Sequence, residues 1–325
     1  RIIFTNSRNS VYLFPILMKK FLPNLLKFIA FAIPFYVIAI CLWSWMMPQF
    51  LAKNTRNKLA SYGHLYSRAR EAENIKNPDI LFLGSSHAYR GFDTRVFAKH
   101  GIKAFNLGSS SQSPINTQVF LKQYLDKIQP KFVVYEVYAG TLCTDGVESS
   151  LDMLINGKID KNAVDMSFKV HNLMTYNTLI YGYFRQIFNL NQNITEPEKQ
   201  GDDFYVENGG FVETTVAREN TSLDFEKSKW ELNDKQIQAL KENIEILQQR
   251  KIPFLLVQTP ITKALYNSKT NNKEVDDLLS KLGKYKNFTG DFNFDDRKDF
   301  YDDNHMNQKA VVEFNEKFIE YLKTQ

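Results

Sequence analysis

The sequence predicts an α/β fold: a three-layer α/β/α sandwich with a mostly parallel central sheet, preceded by an N-terminal transmembrane helix. Three observations carry this. Short apolar runs at Asp79–Leu83, Lys103–Leu107 and Lys131–Tyr138 are continuous rather than alternating, as strands buried on both faces are. Segments of 3.6-residue periodicity lie between and after them, and strands alternating with helices imply a parallel sheet covered on both sides. One uncharged apolar stretch, Phe28 to Ala52, is long enough to cross a bilayer, which takes roughly 20 residues.

Composition narrows the function classes. The chain has 325 residues, enough for one large domain or two small ones. Its 41 Lys and Arg residues are interspersed with 36 acidic ones, giving a net charge of +5 without a long basic run, so no nucleic-acid partner is expected. The two cysteines, Cys41 and Cys143, lie far apart, one of them inside the apolar stretch. No disulfide and no structural zinc site is expected from them.

The elements come in order. Residues 1–27 read as a leader; Met18-Lys19-Lys20 resembles a natural start, so residues 1–17 are expected to be an upstream extension of the gene. Residues 28–52 read as a membrane anchor, with Pro34 as a kink and Trp43, Trp45 and Phe50 as an interfacial belt. A cleaved signal peptide is the competing reading, but the stretch is longer than a signal core and no A-x-A site succeeds it. Basic residues flank both ends, so the positive-inside rule does not fix orientation; export of the domain C-terminal to the anchor is expected. Residues 53–78 form a polar, helical connector.

The sandwich itself is expected over residues 79–325. Strands at Asp79–Leu83 and Lys103–Leu107 come first. Ser113-Pro114 then opens a helix, with serine as N-cap and proline at the first helical position, and Leu121, Tyr124, Leu125 and Ile128 on its apolar face. Lys131–Tyr138 is the third strand. From about 140 to 232 the pattern breaks into a large insertion over the C-terminal edge of the sheet, partly helical around Met166 to Phe188 and holding one Gly209-Gly210 pair. Ile237, Leu240, Ile244 and Leu247 mark the next helix, Ile252–Gln258 a fourth strand, Val275–Leu282 a short helix and Asn287–Phe292 a fifth strand. Asn307 caps a final helix with Val311, Phe314, Phe318 and Leu322 inward.

The chemistry lies in two segments more than two hundred residues apart. Gly84-Ser85-Ser86-His87 directly succeeds the first strand, where an open parallel sheet places its ligands, and the glycine permits a sharp turn into a helix N-terminus. Asp302-Asp303-Asn304-His305 precedes the last helix. A serine hydroxyl needs a base within hydrogen-bond reach, and an imidazole needs a group to orient it. Ser86, His305 and Asp302 supply these in principle, with Asp303 as a second candidate orienter. Either segment alone is a common turn or cap; their conjunction is what points to catalysis. His87 and Arg90 lie at the same helix start and are candidate substrate-binding residues, Arg90 for an anionic group. His64, His100 and His171 have no partner pattern. The acidic run Asp291 to Asp302 mimics the start of a calcium loop, but Asp296 stands where its glycine is required, so it reads as a solvated loop and no metal is expected.

These residues carry a resemblance. Gly84-Ser85-Ser86, Gly108 after the second strand and Asp302-x-x-His305 resemble blocks I, II and V of the SGNH (GDSL-like) hydrolase superfamily, over about residues 79–140 and 233–325. The anchor ahead of a GSS block is similar to the DltD-like and alginate O-acetylation branch. The resemblance implies an SGNH/flavodoxin-like sandwich, Ser86 as nucleophile, Asp302 and His305 as acid and base, and the amides of Ser86 and Gly108 as oxyanion donors. Two departures stand out: Ser85 replaces the usual aspartate, and the block III G-x-N-D motif is absent, Glu136-Val137-Tyr138-Ala139-Gly140 occupying its place. One oxyanion donor is thus unassigned, with Ser109 or Ser110 as substitutes; loss of such a donor costs a factor of about 10² to 10³ in rate.

The expected function is a membrane-anchored, extracytoplasmic serine esterase or O-acyltransferase without a cofactor. The resemblance implies an acylated carbohydrate or cell-envelope polymer as substrate and a membrane-bound O-acyltransferase as partner. The alternative is a catalytically silent scaffold or glycan-binding module of the same fold, motivated by the missing block III.

Overall fold

The computed structural model describes residues 9–221 and 223–324; of the leader expectation, residues 1–8 lie outside these. Helix α1 (Asn9–Met46) runs through the apolar stretch, ending short of the expected boundary at residue 52 because Pro48 turns the chain. Its portion Phe21–Met46 is long and apolar enough to cross a membrane and is almost wholly uncovered by the rest of the molecule. The connector is helical only at α2 (Leu65–Ala72). Its earlier part is held irregular by side chains, with Asn57 Nδ2 donating to the Ser44 and Met47 carbonyls and so tying the chain back onto the end of α1.

The sandwich then builds in sequence. Strand β1 (Ile80–Leu83) leads into α3 (Ser86–Gly91) and α4 (Thr94–Lys99). Next come β2 (Ala104–Asn106), α5 (Pro114–Ile128) and β3 (Phe132–Glu136). Ser113 is the N-cap of α5 and Pro114 opens it, as the sequence predicts, and Ser113 also forms a reciprocal box with Asn116.

The segment expected as an insertion, partly helical around Met166 to Phe188, is helical there and also over residues that gave no periodic signal. It holds α6 (Ala139–Cys143), α7 (Val147–Asn156), α8 (Lys161–Val170) and α9 (Leu173–Ile187). An antiparallel sheet comes next: β4 (Lys199–Gln200), β5 (Asp203–Val206) and β6 (Phe211–Thr214). The Gly209-Gly210 pair makes the β5–β6 turn, and its tip presses on β2: Asn106 N–H donates to the Gly209 carbonyl at 2.9 Å, and a Cβ on Gly210 would lie 2.2 Å from the Asn106 carbonyl oxygen.

The sandwich resumes with α10 (Asp234–Gln249), β7 (Phe254–Gln258), α11 (Lys263–Ser268), α12 (Asn272–Leu282), β8 (Tyr285–Asn287) and α13 (Gln308–Lys323). The fifth strand sits slightly earlier than expected, because Phe288, Phe292 and Phe294 bury their rings against α13 instead of pairing.

The five-stranded sheet has the order β2-β1-β3-β7-β8, all parallel. Successive strand residues feed opposite layers. Leu81, Leu83, Val133, Tyr135 and Leu256 pack against α2, α5, α10 and α12. Ile80, Phe82, Val134, Leu255 and Val257 pack against α3, α4 and α13. This period-2 division is the three-layer α/β/α architecture.

Candidate active site

The turn after β1 is shaped by one missing methyl group. Gly84 has φ +133°, which L side chains rarely adopt, and a Cβ there would sit 2.7 Å from the Glu136 side chain. Glu136, the last residue of β3, fills that space from the neighbouring strand. Its Oε2 accepts the Ser85 amide at 3.0 Å and the Ser85 hydroxyl at 2.8 Å, and its Oε1 accepts the Tyr138 amide at 2.5 Å. Ser85 Oγ in turn accepts the His87 amide as N-cap of α3. Burial pushes the Glu136 carboxyl up to about 7, against the pull of the Ser85 and Tyr138 hydrogen bonds.

Ser86 is therefore delivered as the first residue of a capped helix, where its amide has no intrahelical acceptor. From the far end of the chain, the loop before α13 brings His305. Its Nε2 lies 2.7 Å from Ser86 Oγ, and its Nδ1 lies 3.0 and 2.9 Å from the two Asp302 oxygens. A carboxylate can only accept, so Nδ1 carries the proton and Nε2 is left to accept from the serine. Backbone contacts also fix the loop: Asp302 Oδ1 accepts the amides of Asn304 and His305, and Tyr301 N–H donates to the His305 carbonyl. Burial opposes ionisation of Asp302, yet the His305 hydrogen bond and charge, with these amides, hold it well below the usual carboxylate range. Asp303 makes no such contact; burial and the Asp302 charge raise it.

Other expected residues fall in different places. Gly108 lies beside the turn, its Cβ position 3.0 Å from the Ser85 carbonyl, but its amide donates to Asn106 Oδ1 at 3.0 Å and would have to leave that partner to serve an oxyanion. Of the two substitutes, Ser109 is buried with its amide on the Gly84 carbonyl, whereas Ser110 lines the cleft in front of Ser86. Arg90 also lines that cleft, its guanidinium bidentate to Asp203 at 2.6 Å on both arms. His87 departs from the expectation of a substrate contact. It is buried behind His305, its ring 4.8 Å from that of His305 and 4.2 Å from that of Tyr138. Burial, then the His305 charge, lowers its pKa, so a neutral ring backs the imidazole.

Two residues of the site were not singled out from the sequence. Glu136 was visible as a lone acid ending an apolar strand. Arg68 gave no signal: fully buried, it donates to the carbonyls of Gly63, Gly108 and Gly210, joining connector, β2 loop and hairpin.

The cleft holds about 530 Å³ and is lined mainly by polar groups, among them Tyr62, Ser110, Glu148, Asp202, Asp203 and Tyr301. Among the described residues, no group of three or more His, Cys, Asp or Glu is arranged to hold a metal ion.

No protein-family model matches the chain. No curated protein matches it either. Solved structures do. A candidate acylhydrolase from Bacteroides fragilis is 11% identical with a TM-score of 0.38, covering 81% of this chain and 98% of its own. A GDSL-like lipase from Bacteroides thetaiotaomicron is 10% identical with a TM-score of 0.38, covering 80% and 98%. A gut microbial diltiazem-metabolizing enzyme is 11% identical with a TM-score of 0.28, covering 77% and 48%. At such values the likeness carries no inference about activity.

Proposed function

We propose that this chain is a membrane-anchored serine esterase or O-acyltransferase. The observation that carries the reading is the unbroken relay from Ser86 Oγ through His305 to Asp302, with 2.7 Å at the nucleophile and 2.9 Å at the orienting carboxylate. Ser86 Oγ attacks an ester carbonyl while His305 Nε2 takes its proton. The tetrahedral oxyanion is met by the Ser86 amide at the start of α3, and by Ser110 in the cleft or the Gly108 amide once it leaves Asn106 Oδ1. His305 then returns the proton to the leaving alcohol, and an acyl-serine remains. Water as the second nucleophile completes hydrolysis; a hydroxyl of another molecule completes transfer. Asp302 stays ionised and stabilises the imidazolium.

The polar lining of the cleft supports a hydroxyl-rich partner in the reaction, in keeping with an acylated carbohydrate or cell-envelope polymer. An extracytoplasmic catalytic domain and a membrane-bound O-acyltransferase partner belong to the same proposal. The alternative, a silent scaffold of the same fold, is favoured by one observation: the Gly108 amide is already occupied by Asn106.

A fluorophosphonate probe separates the two. Labelling of the native protein that disappears in Ser86→Ala supports the enzyme. Folded protein that resists the probe, and shows no turnover of aryl acetates, is the scaffold.

A further inference from the structure

Helix α9 turns an apolar stripe outward. Its buried residues are Thr175, Asn177, Thr178, Tyr181 and Gly182, while Leu173, Tyr176, Ile180, Tyr183 and Ile187 recur at spacings of three and four along the opposite side. Leu173 is 63% exposed, Tyr183 52% and Ile187 56%. An ordinary surface helix does the reverse, setting its apolar stripe inward. Apart from Tyr181, which packs with Leu59, Tyr66 and Ile155, the inner face is small and polar for local reasons: Thr178 Oγ1 accepts the Arg56 amide, Asn177 Nδ2 donates to the Asn54 carbonyl, and Gly182 packs so close to α7 that a Cβ would lie 2.5 Å from the Leu154 carbonyl oxygen. None of these explains the apolar outer face.

The exposed apolar side chains are also concentrated. Beyond residue 62, the large hydrophobic side chains exposed among the described residues are Phe168, Leu173, Tyr183, Ile187, Phe188 and Val216. All but Val216 belong to α8, to α9 or to the residue that ends α9. Scattered exposed apolar residues need no explanation, but a contiguous patch does.

The neighbour of this patch indicates what covers it. Helix α9 packs beside α1, and Tyr36 of α1 donates a hydrogen bond to Asn177 Oδ1 at 2.5 Å. Counted from Phe21, the roughly 20 residues that span a hydrocarbon core end at Ile40, where α1 begins to be covered by the domain, Cys41 and Ser44 being buried. Tyr36 lies four residues inside that point, about 6 Å along the helix axis. The apolar side of α9 is thus continuous with the uncovered face of α1 at the depth where interfacial helices bury theirs, about 5–10 Å. Tyr176 and Tyr183 are amphipathic rings suited to that level.

From this continuity, we infer that the outer face of α9, with Phe168 of α8, rests in the acyl–headgroup boundary of a lipid bilayer, as a second membrane contact beside α1. The inference rests on α1 spanning a membrane. It makes the insertion a foot that fixes the height and tilt of the catalytic cleft over the lipid, where a single helix would leave the domain free to swing.

The test uses the full chain in vesicles whose lipids carry a spin label on the acyl chain. Single cysteines bearing a fluorophore are placed at Phe31, Leu173, Ile187 and Glu320 in a Cys41→Ser, Cys143→Ser background, each variant keeping wild-type thermal unfolding. The expected result is loss of emission at Leu173 and Ile187 as well as at Phe31, with Glu320 unaffected. Quenching at Phe31 with Leu173 and Ile187 open to aqueous iodide overturns the inference and leaves the anchor standing. Shielding of both sites from lipid and from iodide means that a protein surface covers α9, which also overturns it. No lipid quenching at Phe31 removes the anchor, and the inference with it.

Discussion

Glu136 Oε2 accepts the amide and the hydroxyl of Ser85 together, and so holds the residue before the proposed nucleophile from the next strand of the sheet. The carboxyl is wholly buried and its pKa is raised to about 7 from an ordinary 4.5, burial being the main cause. A carboxyl raised on folding favours the protonated native state, so its contribution is complete below pH 4.5 and is lost as pH rises towards 7. The span of that loss is about 3 kcal/mol. Thermal unfolding measured from pH 4.5 to 8 should show wild type losing stability relative to Glu136→Gln across that window. Parallel curves for the two proteins would remove Glu136 as the titrating group.

Asp302 shifts the opposite way. Burial resists its charge, but the His305 contact and two amides win, so its stabilising contribution is present above the unfolded carboxylate range and disappears as pH falls through its lowered pKa. Asp302→Asn should lower kcat for an aryl acetate by about 10⁴, as loss of an orienting aspartate does in a comparable relay. Asp303→Asn, with no contact to the imidazole, should stay close to wild type. Equal losses in both variants would disprove the assignment.

Gly84→Ala meets two obstacles at once, a positive φ and the Glu136 side chain 2.7 Å from the new methyl. Gly101→Ala meets only the first: φ is +73° and nothing lies within 4 Å. The change at Gly101 should cost about 1 kcal/mol in unfolding free energy and leave turnover intact. The change at Gly84 should cost clearly more and displace Ser86, so that fluorophosphonate labelling slows along with the loss of stability.

Arg68 holds three carbonyls from three segments, and truncation would leave all three buried without a donor. At about 1–3 kcal/mol for each orphaned group, Arg68→Met should destabilise by at least about 3 kcal/mol in denaturant unfolding. Arg68→Lys should recover little, because one ammonium on a flexible stem does not reproduce a planar fork. Full recovery by lysine would show that charge alone is required.

The layered core was legible because its strands are continuous apolar runs and its helices keep their apolar faces inward. The pairing of Ser86 with His305 was legible because both stand at element boundaries that the sequence marks clearly, an apolar run into Gly84 on one side and the Asn307 cap on the other. The insertion was legible only in part, in the helical stretch around Met166 to Phe188. Helices α7 and α9 bury Ser149, Ser150, Asp152, Asn156, Thr175 and Asn177 among their apolar residues, and α9 exposes Leu173 and Ile187, so periodicity read for an inward apolar face is blurred. Glu136 and Arg68 were missed for a related reason: a buried charge is justified only by partners from distant segments, which one sequence does not place side by side.

The hairpin tip that presses on β2 has a bearing on solubility. A terminal strand with free amides is a template on which a second molecule can add its own strand. At Asn106 that template is already taken by the Gly209 carbonyl of the same chain. The opposite margin, Tyr285–Asn287, is only three residues long and is succeeded by aromatic side chains that turn into the core. Each margin of the parallel sheet is thus blunted, one by an internal clasp and one by brevity, and edge-to-edge pairing between molecules is discouraged at both.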